Sequence, residues 1–140
     1  MIDLDTVFTG FLKTAGTALY TLCGTRVYAP EAPGGYLAAH HAGALAVLEV
    51  FRRGGKPNSA VQEHAVSYQI KCFGGTTSHV QATLVERALY DLLFKLDTKV
   101  LSGGTIMSAT QESIGQPLKD PDTGWPYVLI FWRVTMRPAA

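Results

Sequence analysis

Hydrophobic and polar positions change their period in the middle of the chain, and that change marks the stretch that organises the fold, residues 63–96. From His64 onward Val66, Tyr68, Ile70 and Cys72 alternate with Ala65, Ser67, Gln69 and Lys71, the signature of a strand with one face in a core. Gly74 and Gly75 break the run, and Thr76, Thr77 and Ser78 offer side-chain oxygens to the first free N–H groups of a helix. Beyond them Val80, Leu84, Val85, Ala88, Leu89, Leu92, Leu93 and Leu96 recur at spacings of three and four, with Gln81, Glu86, Arg87, Asp91 and Lys95 between. The pattern predicts a long helix beginning near Ser78 whose apolar stripe lies on the sheet.

Weaker patterns flank this unit. Leu4, Val7, Phe8, Phe11 and Leu12 predict a first helix running to about Lys13, with Asp3 or Asp5 as its cap. Ala18, Leu19, Leu22 and Cys23 predict a further helical turn ending at Gly24, and Thr25 to Tyr28 a short extended piece before a loop holding Pro30, Pro33, Gly34 and Gly35. Residues 44–51 are rich in Val and Leu and read as a strand. Arg52, Arg53, Gly54, Gly55, Lys56, Pro57 and Asn58 then read as a long basic hairpin tip leading to the strand that resumes near Val61. Residues 105–112 alternate weakly and predict a third strand; residues 113–126 read as a loop around the turn Asp120-Pro121-Asp122-Thr123-Gly124.

The last strand, residues 127–136, differs from the others. Val128, Ile130, Trp132, Val134 and Met136 make one apolar face, yet Tyr127, Leu129 and Phe131 on the other are apolar too. A strand apolar on both faces is covered on both, so Tyr127, Leu129 and Phe131 are candidate subunit contacts. Together the pieces predict a single α+β domain over residues 1–140: a four-stranded antiparallel or mixed β-sheet with two main helices packed on one face.

Composition narrows the function classes. Charged residues make up 16% of the 140 residues and hydrophobic residues 47%; small soluble monomers usually carry about 25% charged residues, so a partner is expected to cover apolar surface. A formal net charge of +1 argues against a dedicated or sequence-specific nucleic-acid binder, which needs an excess of Lys and Arg on one face. Cys23 and Cys72 read as reduced core thiols, the start Met1-Ile2-Asp3-Leu4-Asp5 is acidic where a signal peptide is basic, and no apolar run has bilayer-spanning length. A soluble cytoplasmic chain away from membranes is the expectation.

Candidate chemistry is sparse. His40, His41, His64, His79 and Cys72 are the available soft ligands, and neighbouring histidines on an extended chain point opposite ways. The Asp120 turn lacks the glycine position and the bidentate glutamate of a calcium loop. The Gly pairs fit neither dinucleotide nor P-loop patterns, and no nucleophile elbow is present. No catalytic residue, metal or cofactor is expected.

Three segments in order carry a resemblance. Thr17-Ala18-Leu19-Tyr20-Thr21-Leu22-Cys23-Gly24-Thr25-Arg26-Val27-Tyr28-Ala29-Pro30-Glu31-Ala32-Pro33, then Tyr68-Gln69-Ile70-Lys71-Cys72-Phe73, then Pro117-Leu118-Lys119-Asp120-Pro121-Asp122-Thr123-Gly124-Trp125-Pro126-Tyr127 with the closing strand, follow one another along nearly the whole chain. This series resembles the tail completion, or tail terminator, proteins of long-tailed bacteriophages. The resemblance implies a structural virion protein of the neck region, assembled in the host cytoplasm. It would form a hexameric ring on the head-proximal end of the tail tube, stop tube polymerisation and join the tail to the head connector. Under that reading Arg52, Arg53 and Lys56 in one loop, and Lys119, Asp120 and Asp122 in another, are candidate contacts to tube protein or to connector and stopper protein. The alternatives are a head-completion or stopper protein of the neck and, in another class, a small ligand-binding α+β domain.

Overall fold

The structure, a computed structural model, describes residues 4–30, 34–58, 63–75, 79–94, 96–101, 103–121 and 123–138. Helix α1 (Leu4–Leu12) buries Val7, Phe8, Phe11 and Leu12, the stripe its spacing predicts. Helix α2 (Ala18–Cys23) begins where the Thr17 hydroxyl oxygen accepts from the Tyr20 N–H at 3.1 Å, and it stops at Gly24, whose N–H donates to the Tyr20 carbonyl. Strand β1 (Val27–Tyr28) follows, and helix α3 (Tyr36–Ala42) leads into strand β2 (Val47–Asn58).

Strand β3 (Glu63–Phe73) and helix α4 (His79–Phe94) form the unit expected from the mid-chain change of period. Val66, Tyr68, Ile70 and Cys72 are all buried, while Ala65, Ser67, Gln69 and Lys71 are half-buried on the other face. Residues 76–78, assigned above to the helix cap, lie outside the described residues, as do Asp3, Val61 and Lys95. Gly75 holds φ +78°, and a side chain on it would meet the backbone of Leu45, so the strand-to-helix corner needs glycine there.

The remaining strands are β4 (Lys99–Leu101), β5 (Gly104–Gln111), β6 (Gln116–Lys119) and β7 (Pro126–Pro138). The sheet order is β1-β2-β3-β7-β5-β4, with β6 pairing β7 off that path. Among the described residues only the β1–β2 pair is parallel; the other pairs are antiparallel. β7 is central: β3 pairs along one edge from Phe73↔Tyr127 to His64↔Met136, while β6 and β5 share the other edge end to end. Registered rows such as Val50–Ile70–Ile130 and Tyr68–Trp132–Gln111 put the apolar side chains on one inner face.

α1, α2 and α4 cover that face. Phe8 stacks on Tyr68 at 4.5 Å, and Val85, Leu89 and Leu93 of α4 join Ile70, Ile130 and Val134 in one core cluster. Each fully buried side chain of this kind contributes roughly 1.5–3 kcal/mol. The indole Nε1 of Trp132 is buried without a hydrogen-bond partner among the described residues, so packing against neighbours such as Tyr90 positions this ring.

The expected four-stranded sheet with two helices on one face is therefore corrected. The described residues form a mixed sheet of seven strands, curled into a half-barrel, with four helices. The added strands are two to four residues long and β6 contains Pro117, so none carries a readable alternation. α3 contains Ala38, Ala39, His40 and His41 and shows no apolar stripe, yet it lies over the outer face, where Leu37 packs near Val47, Phe73 and Tyr127. Helices thus stand on both faces.

Two further expectations fail. Residues 52–58 are not a hairpin tip: β2 runs through them, with a register shift between Arg52 and Gly55. Gly55 sits at φ +150°, and a side chain on it would run into the Ala65 carbonyl, which is why a Gly pair stands inside this strand. On α4, Val80 is 65% exposed and Leu84 44% exposed, so these two face away from the sheet and Ala82 is buried in their stead.

Candidate interaction face

The outer face of the sheet is built from the alternate residues of β2, β3 and β7. Its rows are Val47–Phe73–Tyr127, then Glu49–Lys71–Leu129, then Phe51–Gln69–Phe131. The first row is closed by the chain itself: Tyr28, Leu37, Leu118 and Trp125 pack around Val47, Phe73 and Tyr127. Two adjacent histidines of α3 tie this cover down. His40 Nε2 lies 2.8 Å from the Tyr28 hydroxyl, and His41 stacks on Trp125 at 4.3 Å.

Beyond that cover the face changes character. Phe51, Leu129 and Phe131 are half-buried and flanked by cations. The Arg53 guanidinium lies 4.7 Å from the centre of the Phe131 ring, and Lys71 Nζ lies 5.3 Å from the Phe51 and Tyr127 rings. Glu112 organises the polar border. Its carboxylate accepts from the Ser67 hydroxyl at 2.6 Å and from Arg133 Nη2 at 3.2 Å, joining β3 to β7 at the point where β5 ends. There the Phe131 N–H donates to the Ser113 hydroxyl instead of to a strand neighbour. Arg53, Ser67, Glu112, Ser113 and Phe131 line an open hollow of about 200 Å³.

The predicted contact residues fall in different places. Tyr127 is only 9% exposed and is covered by its own chain, whereas Leu129 and Phe131 sit on the half-covered part of the face. Arg53 joins them there. Arg52 points to the inner side, where its guanidinium pairs with Asp5 at 2.9 Å beside the Tyr68 hydroxyl, which donates to the same carboxylate oxygen. The Lys56 backbone pairs opposite Ala65, and its side chain lies outside the described residues. Lys119 is exposed on β6, and Asp120 closes a turn by accepting from the Thr123 N–H at 3.1 Å; Asp122 lies outside the described residues. Of the candidate loop residues whose side chains are described, Arg52, Arg53, Lys119 and Asp120 do not converge. Ser67 and Glu112 carried no sequence signal, because the strand register alone brings them together across 45 positions.

The chemistry-bearing groups are scattered. Among the described residues no three His, Cys, Asp or Glu side chains group as metal ligands, and no helix is long and apolar enough to cross a membrane. Burial pushes the Cys23 thiol up to about 12 against the pull of Arg26, and burial also raises Cys72, so both are protonated and unreactive near neutral pH. Burial lowers the His40 pKa, and the nearby Arg26 charge lowers it further. Glu86, packed beside Gly115, is raised by burial, with Arg87 opposing. No family model matches the chain, and no curated protein matches it significantly.

Proposed function

We propose that the chain is a structural subunit of a phage tail, a terminator that closes into a ring at the head-proximal end of the tail tube. In that role it stops tube polymerisation and presents a surface to the head connector; the ring is hexameric by resemblance. The observation that carries the reading is the outer sheet face, where Phe51, Leu129 and Phe131 stay half-buried around a central strand. A low charged fraction of 16% supports a chain that shares its surface with neighbours. Identical contacts made head to tail close into a ring when the rotation between subunits allows it. The proposed role needs no reaction, and the proposed partners are further copies, tube protein and connector protein.

The test is to add the purified full chain to tail tubes and to image the tube ends by negative stain. Rings capping one end of each tube, with tube growth arrested there, are the expected result. Binding along tube sides, or none at either end, would sink the terminator role. Binding to isolated head connectors alone would point to the stopper role.

A further inference from the structure

We propose that the free edge of β5, with the aromatic hollow beside it, captures an extended segment of another protein that carries one large apolar side chain. The inference goes beyond the ring reading and does not depend on it. Among the described residues β4 pairs with β5 only at Gly104, Thr105 and Ile106, so past the register shift at Met107 no strand lies on that edge. The Glu112 N–H donates to the Phe131 carbonyl, and in an antiparallel pair the residues that bond to the partner alternate along the strand. Ser108, Thr110 and Glu112 therefore turn their backbone groups to β7, while Ala109 and Gln111 turn theirs to the open edge. Among the described residues nothing bonds to those groups there.

A hollow of about 260 Å³ lies beside this edge, lined by Tyr90 and Phe94 of α4, by Ala109, Thr110 and Gln111 of β5, and by Trp132. Tyr90 stacks on Phe94 with ring centres 5.0 Å apart and tilts against Trp132 at 6.0 Å, so three rings wall the hollow and none of this lining is charged. Ala109 and Gln111 stand opposite Val134 and Trp132 and share their inner face. A strand added beside β5 would set alternate side chains on that same face, over the rings. Main-chain hydrogen bonds would then hold the segment, and the hollow would select the residue that enters it.

Two comparisons fix the occupant. β1 pairs with β2 only at Leu48 and Glu49, and the rest of that edge carries Arg52, Arg53, Lys56, a bulge and Pro57. Cations, bulges and prolines are the devices that keep an edge strand from pairing. From Ser108 to Gln111 the β5 edge has neither a charge nor a proline, so it is left able to pair. A second copy pairing through its own β5 would bring Ala109 and Gln111 to the inner face, and neither fills an aromatic hollow of this size. Backbone groups recurring every two residues, about 6.8 Å apart along a strand, match another extended chain. The occupant is therefore an extended segment of a different protein, with an aromatic or large aliphatic residue facing the rings.

The experiment titrates the isotope-labelled full chain with capped peptides acetyl-Thr-Val-X-Val-Thr-amide, X being Phe, Trp, Leu or Lys, and follows the amide signals by NMR. The Phe, Trp and Leu peptides should shift the amides of Ala109 and Gln111 and the indole N–H of Trp132, and should slow hydrogen exchange at the two amides about tenfold. The Lys peptide should bind about tenfold more weakly or worse. A strand has two edges, so N-methylating the X amide or both Val amides should abolish binding in one case and spare it in the other. Phe94→Ala, at a position 59% exposed, should weaken binding about tenfold with little change in unfolding midpoint. No shift at Ala109, Gln111 or Trp132 with any apolar peptide up to about 1 mM would overturn the proposal, as would binding that survives both methylations. Protection of the two amides without peptide would overturn it too: rising with chain concentration, it would assign the edge to a second copy, and constant on dilution, to the chain itself. The tail-tube experiment decides the ring separately from all of these results.

Discussion

The two faces of the sheet carry similar kinds of side chain and have different fates. Val66, Tyr68, Ile70 and Cys72 on the inner face of β3 are buried under three helices, and their partners on β7 are sealed with them. On the outer face the chain covers one end with α3 and Trp125 and leaves Leu129 and Phe131 half-covered between Arg53 and Arg133. Apolar alternation says which residues pair in a sheet; it does not say whether the cover comes from the same chain. The inner face is therefore where folding stability is concentrated, and the outer face is where an interaction has room to form.

The sharpest way to break this contrast is to truncate one residue on each face. Leu89→Ala on the inner side should lose roughly 2–5 kcal/mol in denaturant unfolding, because the helix and sheet around it collapse only partly into the gap. Phe131→Ala in the isolated chain should lose less, about 1 kcal/mol, since the ring is only partly buried. Equal losses would contradict the division of labour. Next comes Gly55→Ala, which forces a side chain into a left-handed position against the Ala65 carbonyl; a loss of order 1–3 kcal/mol is expected. A neutral outcome would mean the β2 bulge is not the native register.

Glu112→Gln should have a smaller effect. It weakens the carboxylate link between Ser67 and Arg133 at a partly exposed site, so a loss near 0.5–1 kcal/mol is expected by thermal unfolding. The smallest effect concerns the α3 cover. The folded His40 pKa lies below its ordinary value, so the unfolded chain takes up the proton first as pH falls. Its contribution to stability is full above the ordinary histidine range and is lost as pH drops through the lowered folded value. His40→Gln should flatten that acid-side decline, measured as unfolding midpoint against pH; an unchanged slope would assign the decline to other groups.

The legible parts of the fold share one property, a period sustained over enough residues to stand out. β3, α4 and β7 were readable because their buried positions repeat at two or at three to four residues. Residues 52–58 misled because Arg52, Arg53, Gly54, Gly55 and Pro57 look like a turn, whereas the glycine pair serves a bulge within a continuing strand. α3 was hidden because its seven residues show no apolar stripe and Trp125, on which His41 stacks, lies far away in sequence. Val80 and Leu84 belong to the helical period but to its far side; periodicity marks spacing and not which of two apolar edges meets the sheet. The candidate face was half legible: Leu129 and Phe131 could be read from a strand apolar on both sides, but Arg53, Ser67 and Glu112 join them only through strand register.

The central claim is that the outer face is covered by another copy in the working protein. Sedimentation velocity on the wild type and on Phe131→Asp, with unfolding midpoints of both, tests it most directly. The account predicts that the wild type sediments as a closed multiple of the 15.1 kDa chain, and that Phe131→Asp sediments as a monomer with a nearly unchanged midpoint. A Phe131→Asp variant that assembles like the wild type would contradict it.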